Sequence, residues 1–508
     1  MPEDKYIFVT GGVLSGLGKG LVAASVSKLL QLRNVEIEPV KCDGYLNVDP
    51  GTMNPEEHGE VYVLEDGTEV DMDFGHYERF LDIELTGERN LTSGKIFQEV
   101  IQNERNGDYL GETVQMIPHV TDLIKQKFKT DADVTVIEVG GTVGDIENML
   151  YLEALRQLQG ENSFHIHVTL VPYLETTGEQ KTKPTQHSVK ELRSIGLQPD
   201  MIVGRNQERL EEDIREKISL FTDVGEDSVI SDPNLDTVYR LPLVFDRQDV
   251  DKIIAEDLSL PERSEGLEAW SEKVENIVKP GEKRIGVYGK YTGMDDSYAS
   301  IEEAVKHSEA ETGVNVELEY IDSENPEDPE KFDGIIIPGG FGQRGIEGKI
   351  QALKKARENG IPALGLCLGM QLMVIEFCRN ILGMDATSGE FDQEGRNVVK
   401  QMPEQEDVEQ KGGTMRLGGY EAELSGKIAE IYGSDKVTER HRHRYEVDPE
   451  LVEKLEKKGL KIEGFHGELP EFSRLENHGF YIGTQAHPEF NSTVENPSPL
   501  FSRFLNSL

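Results

Sequence analysis

The sequence predicts an α/β protein of two domains, the first built on a parallel sheet and the second on a renewed βα pattern. Three observations carry the prediction. Short apolar runs recur at residues 6–10, 134–139, 165–171 and 201–204, and again at 284–289, 315–320, 334–338, 363–365 and 480–485. Runs of this length without alternation suit strands buried on both faces. At 508 residues the chain exceeds what one ordinary core supports. Between the two sets of runs, at about residues 254–282, the sequence turns charged and non-periodic and ends in Lys279-Pro280-Gly281. The domains expected are therefore residues 1–265 and 284–508, with 266–283 as a linker. No internal repeat and no low-complexity segment is present.

Hydrophobic residues make up 36%, a low share that is nevertheless spread in periodic segments, so a folded chain is expected. Charge is the oddity: 53 Lys+Arg against 96 Asp+Glu leave a net of −43. The acids are dispersed along the chain rather than gathered in a tail. Such self-repulsion opposes compaction unless salt screens it, and at about 1 M salt the Debye length falls to roughly 3 Å. A salt-rich, halophilic setting is the expectation. Nucleic acid is excluded as a natural partner of so acidic a surface. Polyphosphates must instead be held in local pockets of Lys, Arg and backbone N–H groups. The three cysteines, Cys42, Cys367 and Cys378, fit a reducing compartment better than a disulfide framework. No stretch has the apolar length of a membrane span, and the first residues lack a signal-peptide pattern. A soluble, cytoplasmic protein without a membrane partner is expected.

The first element is a strand at 6–10, followed by a glycine-rich turn at 11–20 and an amphipathic helix at 21–32. The turn reads Gly11-Gly12-Val13-Leu14-Ser15-Gly16-Leu17-Gly18-Lys19-Gly20 and stands where a phosphate-binding loop belongs. Backbone N–H groups at the positive helix end would cradle phosphate oxygens, and Lys19 would add a point charge. A plain tight turn explains the glycines but not Lys19. No Gly stands five residues before Gly18, and Gly20 replaces the hydroxyl residue that commonly helps to hold Mg²⁺. The acids chosen for the metal are Asp73, in Asp71-Met72-Asp73-Phe74-Gly75-His76, and Glu138, at the end of an apolar strand. Further on, Lys181-Thr182-Lys183-Pro184-Thr185-Gln186-His187 sets two lysines, hydroxyls and an amide on a proline-stiffened segment. In so acidic a chain a lysine run without acids points to a second polyphosphate carrying a polar base.

In the second domain Gly365-Leu366-Cys367-Leu368-Gly369 ends an apolar run, as a nucleophile elbow would. Downstream stands His487-Pro488-Glu489. The imidazole would take the thiol proton and the carboxylate would hold the imidazole, so the pair predicts acyl transfer through a thioester. A lone cysteine is more often an inert core residue. The flanking glycines, the upstream Pro338-Gly339-Gly340-Phe341-Gly342 and the His-Pro-Glu tip the reading toward catalysis.

With both halves in view, the chain resembles the CTP synthase family, glutamine-dependent C–N ligases of pyrimidine biosynthesis. The resemblance is carried by Asn47-Val48-Asp49-Pro50-Gly51-Thr52-Met53, Gly75-His76-Tyr77-Glu78-Arg79-Phe80, Gly140-Gly141-Thr142-Val143-Gly144-Asp145-Ile146-Glu147, the run from Lys181, Gly412-Gly413-Thr414-Met415-Arg416-Leu417-Gly418, and Arg440-His441-Arg442-His443-Arg444-Tyr445-Glu446. It implies an N-terminal domain with a P-loop NTPase-like parallel sheet and a C-terminal, flavodoxin-like class I glutamine amidotransferase domain. In the first, ATP would phosphorylate O4 of UTP and ammonia would displace that phosphate at C4. By motif match Gly16, Leu17, Gly18, Lys19, Gly20, Leu21 and Asp73 would meet ATP, Lys19 and Lys41 the transferring phosphate, and Asp73 and Glu138 Mg²⁺. Ser15, Asp145, Ile146, Glu147, Lys181, Thr182, Lys183, Pro184, Thr185, Gln186 and Lys217 match positions for UTP and for CTP, the feedback inhibitor.

In the second domain the resemblance implies Cys367 as nucleophile, His487 as proton carrier and Glu489 as its orienter. Gly340, Leu368, Gly369, Met370, Gln371, Glu390 and Arg444 would bind L-glutamine. Backbone N–H groups near Gly340 and Leu368 would form the oxyanion hole. An enclosed ammonia route entered near His58, GTP activation involving the loop at 412–418 and Arg344, and a homotetramer follow from the same likeness.

Two features depart from the family pattern: the stretch from Glu390 to Gly412 is short, and Ala486 stands where an aromatic is common. The competing readings are another amidoligase of the same build, such as a cobyric acid synthase, and a non-catalytic nucleotide sensor. The cationic run and Lys217 weigh against the first, and intact Cys367, His487, Glu489 and Lys19 against the second.

Overall fold

The computed structural model describes residues 4–53, 59–160, 162–290, 298–391, 394–402 and 415–508. It divides into two compact units, Met1–Asp49 with His76–Val274, and Pro50–Gly75 with Glu275–Leu508.

The first unit holds a seven-stranded sheet. From one edge to the other its strands are Val229–Asp232, Met201–Arg205, Ser163–Leu170, Lys5–Gly11, Val134–Val139, Ile37–Asp43 and Asn90–Thr92. All neighbours run parallel. The near-continuous apolar runs are therefore explained: Ile7, Phe8, Val9, Val136, Ile137 and Ile166 are all buried, on alternating faces. Register sets Val9 beside Glu138, and Glu138 beside Lys41. Parallel strands bring their carboxyl ends to one edge, so Gly11, Glu138 and Lys41 come together there.

The second unit carries a nine-stranded sheet. Its parallel part runs Val316–Asp322, Lys283–Gly289, Gly334–Ile337, Ala363–Leu366 and Tyr481–Thr484. Leu469–Leu475, Leu460–His466, Arg416–Leu424 and Lys436–His443 extend it antiparallel. Ile335 and Ile337 face one core with Leu353, Met370 and Phe377, while Ile336 faces the other with Val287, Leu364 and Phe501. The four antiparallel strands escape a reading by apolar runs because charges interrupt them, as at Glu421, Glu423, Glu439 and Arg440.

Two features run against a simple division along the chain. Residues 268–277, inside the expected linker, form the helix Glu268–Ile277. Its apolar stripe, Leu267, Trp270, Val274 and Ile277, is buried at helical spacing beneath many charges. The segment Pro50–Gly75 belongs to the second unit, where Tyr62 donates to the Phe490 carbonyl at 2.7 Å and Arg442 Nε meets Glu69 Oε1 at 2.8 Å.

Candidate active sites

Cys367 stands between the strand Ala363–Leu366 and the helix Leu368–Asn380, with φ 51° and ψ −103°. A non-glycine residue in that region is strained and persists only where its surroundings hold it. Here the hold is close packing. A Cβ on Gly369 would lie 2.1 Å from the Ile337 carbonyl oxygen, and one on Gly365 would lie 2.8 Å from the Gly369 backbone. Only glycine lets helix and strand approach this closely. The Cys367 N–H donates to the Thr484 carbonyl at 2.7 Å, which pins the turn to the strand leading to His487.

His487 completes the pair. Its N–H donates to the Arg440 carbonyl at 2.8 Å, its ring stacks on Phe490 with centroids 5.1 Å apart, and its Nδ1 lies 2.7 Å from Glu489 Oε1. A Cβ on Gly339 would come within 2.9 Å of His487 Cε1 and 3.6 Å of Cys367 Cβ, so thiol and imidazole border one point. Burial disfavours the charged ring, but the Glu489 carboxylate and the Cys367 sulfur outweigh it and push the His487 pKa up to about 10. A cleft of about 130 Å³ opens here, lined by Gly339, Gly340, Phe341, Arg442, His487 and Glu489.

Around the cleft, Glu390 Oε1 accepts the Gly342 N–H at 2.6 Å. Burial raises the Glu390 carboxyl, while Gly342, Lys290 and Arg444 pull it down. Gln371 is buried and donates from Nε2 to the Tyr445 carbonyl at 2.8 Å. Leu368, Gly369 and Met370 form the first turn of the buried helix, with Gly369 and Met370 packed against Ile337 and Gly483. Cys367, His487, Glu489, Gly340, Leu368, Gln371, Glu390 and Arg444 are thus gathered at one place.

In the first unit the helix Lys19–Gln31 starts from Gly18, whose φ of 85° is left-handed. Residues 13–16, Ser15 and Gly16 among them, are exposed ahead of it, while Leu17 and Gly20 are buried. Lys19 folds back over Gly11, where a Cβ would meet its Cδ at 2.7 Å, and its Nζ donates to the Gly141 carbonyl at 2.8 Å. Glu138 Oε1 lies 2.9 Å from Lys41 Nζ, its Oε2 accepts from Tyr77, and Asp43 Oδ1 stands 4.0 Å from the same lysine. Asp73, which falls in the second unit, opens the helix Asp73–Leu81.

A cavity of about 420 Å³ is lined by Val13, Val143, Lys183, Pro184, His187 and Ser188. Lys183 Nζ donates to Gln186 Oε1 at 3.1 Å, and Gln186 Nε2 to Thr182 Oγ1 at 2.9 Å. Lys181 pairs with Glu179, whose carboxyl is held low by Lys181 and, more weakly, by Lys217. Thr185 is buried against the Leu170 carbonyl. Asp145 Oδ2 accepts from both Thr142 N and Oγ1, leaving Ile146 and Glu147 exposed beside it. The cationic run and Lys217 therefore share a neighbourhood next to the glycine-rich turn.

Residues 5–260 match the model "CTP synthase N-terminus" and residues 294–507 match "Glutamine amidotransferase class-I". The CTP synthase of Archaeoglobus fulgidus is 50% identical, over 99% of this chain and 98% of the relative. The chain belongs to the CTP synthase family. It is accordingly a ligase with a glutamine amidotransferase domain. The CTP synthase of Natronomonas pharaonis is 52% identical over 98% of this chain and 94% of its own. The solved glutaminase domain of Trypanosoma brucei CTPS with bound acivicin is 37% identical, with TM-score 0.42, covering 44% of this chain and 93% of that one.

The family's metal can be tested against the donors present. Glu138 and Asp43 beside Lys41 offer hard carboxylate oxygens at the strand ends, the donor type Mg²⁺ takes. Among the described residues no cluster of three or more His, Cys, Asp or Glu is spaced for a metal, and Mg²⁺ bound through substrate phosphates and water requires none. No described helix is long and apolar enough to cross a membrane. His58, the residues 412–414 of the expected GTP loop and most of the short segment after Glu390 lie outside the described residues.

Several site residues escaped the sequence reading. Lys290 Nζ donates to the Phe341 carbonyl at 2.6 Å and also meets that of Gly342, bracing the loop that follows the strand Gly334–Ile337. Gln485 lies against the thiol itself. Ser188 lines the cavity beside Lys183 and His187 and meets His167 Nε2 at 2.7 Å, and burial drives the His167 pKa down to about 3. Gln485 had a signal, two residues before His487; the others had none.

Proposed function

We propose that this ligase makes CTP from UTP, ATP and L-glutamine, with Mg²⁺ as cofactor and ammonia passed from the thiol site to the nucleotide site. The observation that carries the reading is the Cys367, His487 and Glu489 constellation on the same chain as the Lys19 and Lys41 edge of the first unit. At the thiol site Cys367 attacks the glutamine amide carbon, His487 gives a proton to the departing ammonia, and water releases glutamate from the thioester. N–H groups at Gly340 and Leu368 meet the oxyanion. Glu390 and Arg444 suit the α-amino and α-carboxylate groups of glutamine.

At the other site Lys19 and Lys41 stabilise the phosphate as it moves from ATP to O4 of UTP, and ammonia then displaces it at C4. Glu138, with Asp73 by the family resemblance, holds Mg²⁺, which neutralises polyphosphate charge when bound. The lysines of the run 181–186 and Lys217 hold the UTP triphosphate, which CTP shares as feedback inhibitor. GTP activates, with Arg344 as a contributor. A homotetramer follows from the family resemblance. A reducing, cytoplasmic setting agrees with three free buried cysteines.

The test follows UTP conversion to CTP spectrophotometrically, with ATP, Mg²⁺ and glutamine each omitted in turn. CTP should form only with all three present. Amidation of a corrinoid with no CTP formed would assign the chain to a different amidoligase reaction.

A further inference from the structure

We propose that Gln485 is a further catalytic residue of the thiol site, its side-chain amide donating a hydrogen bond to the Cys367 sulfur and holding the nucleophile in its anionic form. The proposal rests on the glutaminase reading above. Gln485 is fully buried at the end of the strand Tyr481–Thr484, and its N–H donates to the Glu471 carbonyl at 2.9 Å. Its Nε2 lies 3.7 Å from Cys367 Sγ, an N–H to sulfur contact.

The direction of this bond is set from its far end. The Tyr445 backbone carbonyl can only accept, so the Gln371 side chain must turn its NH₂ toward it, at 2.8 Å. The same nitrogen lies 3.2 Å from Gln485 Oε1. Were the Gln485 amide turned over, two NH₂ groups would face each other in a buried space. Its oxygen therefore faces Gln371, and its nitrogen is left facing the sulfur. A relay of one polarity runs from a backbone carbonyl through two buried glutamines to the nucleophile. Both N–H groups of Gln371 are used in it, which leaves only Oε1 of that side chain for a substrate.

The sulfur has a second neighbour of opposite character, the Arg442 carbonyl at 4.0 Å. A carbonyl accepts only, so it suits the neutral thiol. The Gln485 amide donates, so it suits the thiolate. When the Cys367 proton passes to His487 Nε2, the electron pair left on sulfur gains the Gln485 N–H as a charge-assisted partner. Attack on the amide carbon forms the S–C bond and moves that charge to the carbonyl oxygen and its own donors. Gln485 thus acts before attack, by populating the reactive form, and not by holding glutamine.

The experiment uses the full chain with Gln485→Leu and the isosteric Gln485→Glu. Alkylation of Cys367 by iodoacetamide is followed against pH, with the modified peptide read by mass spectrometry so that Cys42 and Cys378 do not contribute. The alkylation midpoint should rise by about one pH unit in the leucine variant and further in the glutamate variant, whose carboxylate repels the anion. Glutamine hydrolysis near neutral pH should lose roughly ten-fold or more in kcat with KM little changed, and ammonia-dependent CTP formation should persist. A midpoint that stays put in both variants overturns the proposal, as does a rise in KM without a shift in midpoint. Loss of ammonia-dependent synthesis in both variants would make Gln485 a packing residue and overturn it equally. A wild-type chain that fails to hydrolyse glutamine would refute the functional reading, while the alkylation profile would still decide the bond to sulfur.

Discussion

His487 Nδ1 stands 2.7 Å from Glu489 Oε1, with a single proline between the two residues in the chain. The ring is buried, and burial alone would keep it neutral. Glu489 and the Cys367 sulfur reverse that, and the pKa reaches about 10. A raised value means the charged ring survives as pH climbs past its ordinary 6.5 and is lost only through about 10.

In the proposed reaction the protonated ring is the acid that departing ammonia requires. The alkaline limb of kcat/KM for glutamine hydrolysis should therefore fall near pH 10. Glu489→Gln should bring that limb down toward the ordinary histidine range and slow hydrolysis by roughly 10²–10⁴-fold. A limb that stays near 10 in the variant would show that another group sets it.

Gly369→Ala tests the elbow's packing. The added methyl would sit 2.1 Å from the Ile337 carbonyl oxygen, so helix and strand must part. Overpacking of this kind costs about 1–3 kcal/mol. The urea midpoint should drop accordingly and glutamine hydrolysis should fall with it; an unchanged midpoint would mean that the elbow has slack.

Glu309 offers a pH test away from both sites. Burial pushes its pKa up to about 7, although the Val316 N–H and Lys306 pull it down. A raised carboxyl contributes stability that is complete below its usual value near 4.5 and lost as pH rises through about 7. Glu309→Gln keeps an acceptor for Val316 and cannot ionise. The variant should be more stable by about 2–3 kcal/mol at pH 8 and equal to wild type near pH 4.5. Equal melting temperatures at both values would place Glu309 in a wetter setting than its burial implies.

The two candidate sites were legible where the proposed chemistry calls for rare residues at fixed spacing. Gly365 and Gly369 mark the elbow around Cys367 because the backbone at those two positions leaves no room for a Cβ, and Lys19 marks the glycine-rich turn as a candidate phosphate loop because a turn alone has no use for it. Apolar runs gave the parallel strands, since a strand buried on both faces has little choice of residue. What escaped was set by tertiary contact. The strands Arg416–Leu424 and Lys436–His443 carry charges that pair only once folded, as Arg416 does with Glu446 and Glu471 at 2.8 and 2.7 Å. The helix Glu268–Ile277 hides its stripe among acids. Membership of Pro50–Gly75 in the second unit depends on Tyr62 and Glu69 meeting partners hundreds of positions away.

The net charge of −43 predicts a salt response. Raising KCl from about 0.1 M to about 1 M shortens the Debye length from roughly 10 Å to roughly 3 Å and screens the self-repulsion of the acids. The melting temperature and synthetic activity should climb over that range. Full stability and activity at low salt would refute a salt-dependent fold.

The division of labour between the two sites is tested most directly by Cys367→Ala assayed for CTP formation with two nitrogen sources. With glutamine the variant should form no CTP, because no nucleophile remains to release ammonia. With ammonium chloride supplied at alkaline pH it should form CTP at close to the wild-type rate. Loss of CTP formation from both sources would contradict the account.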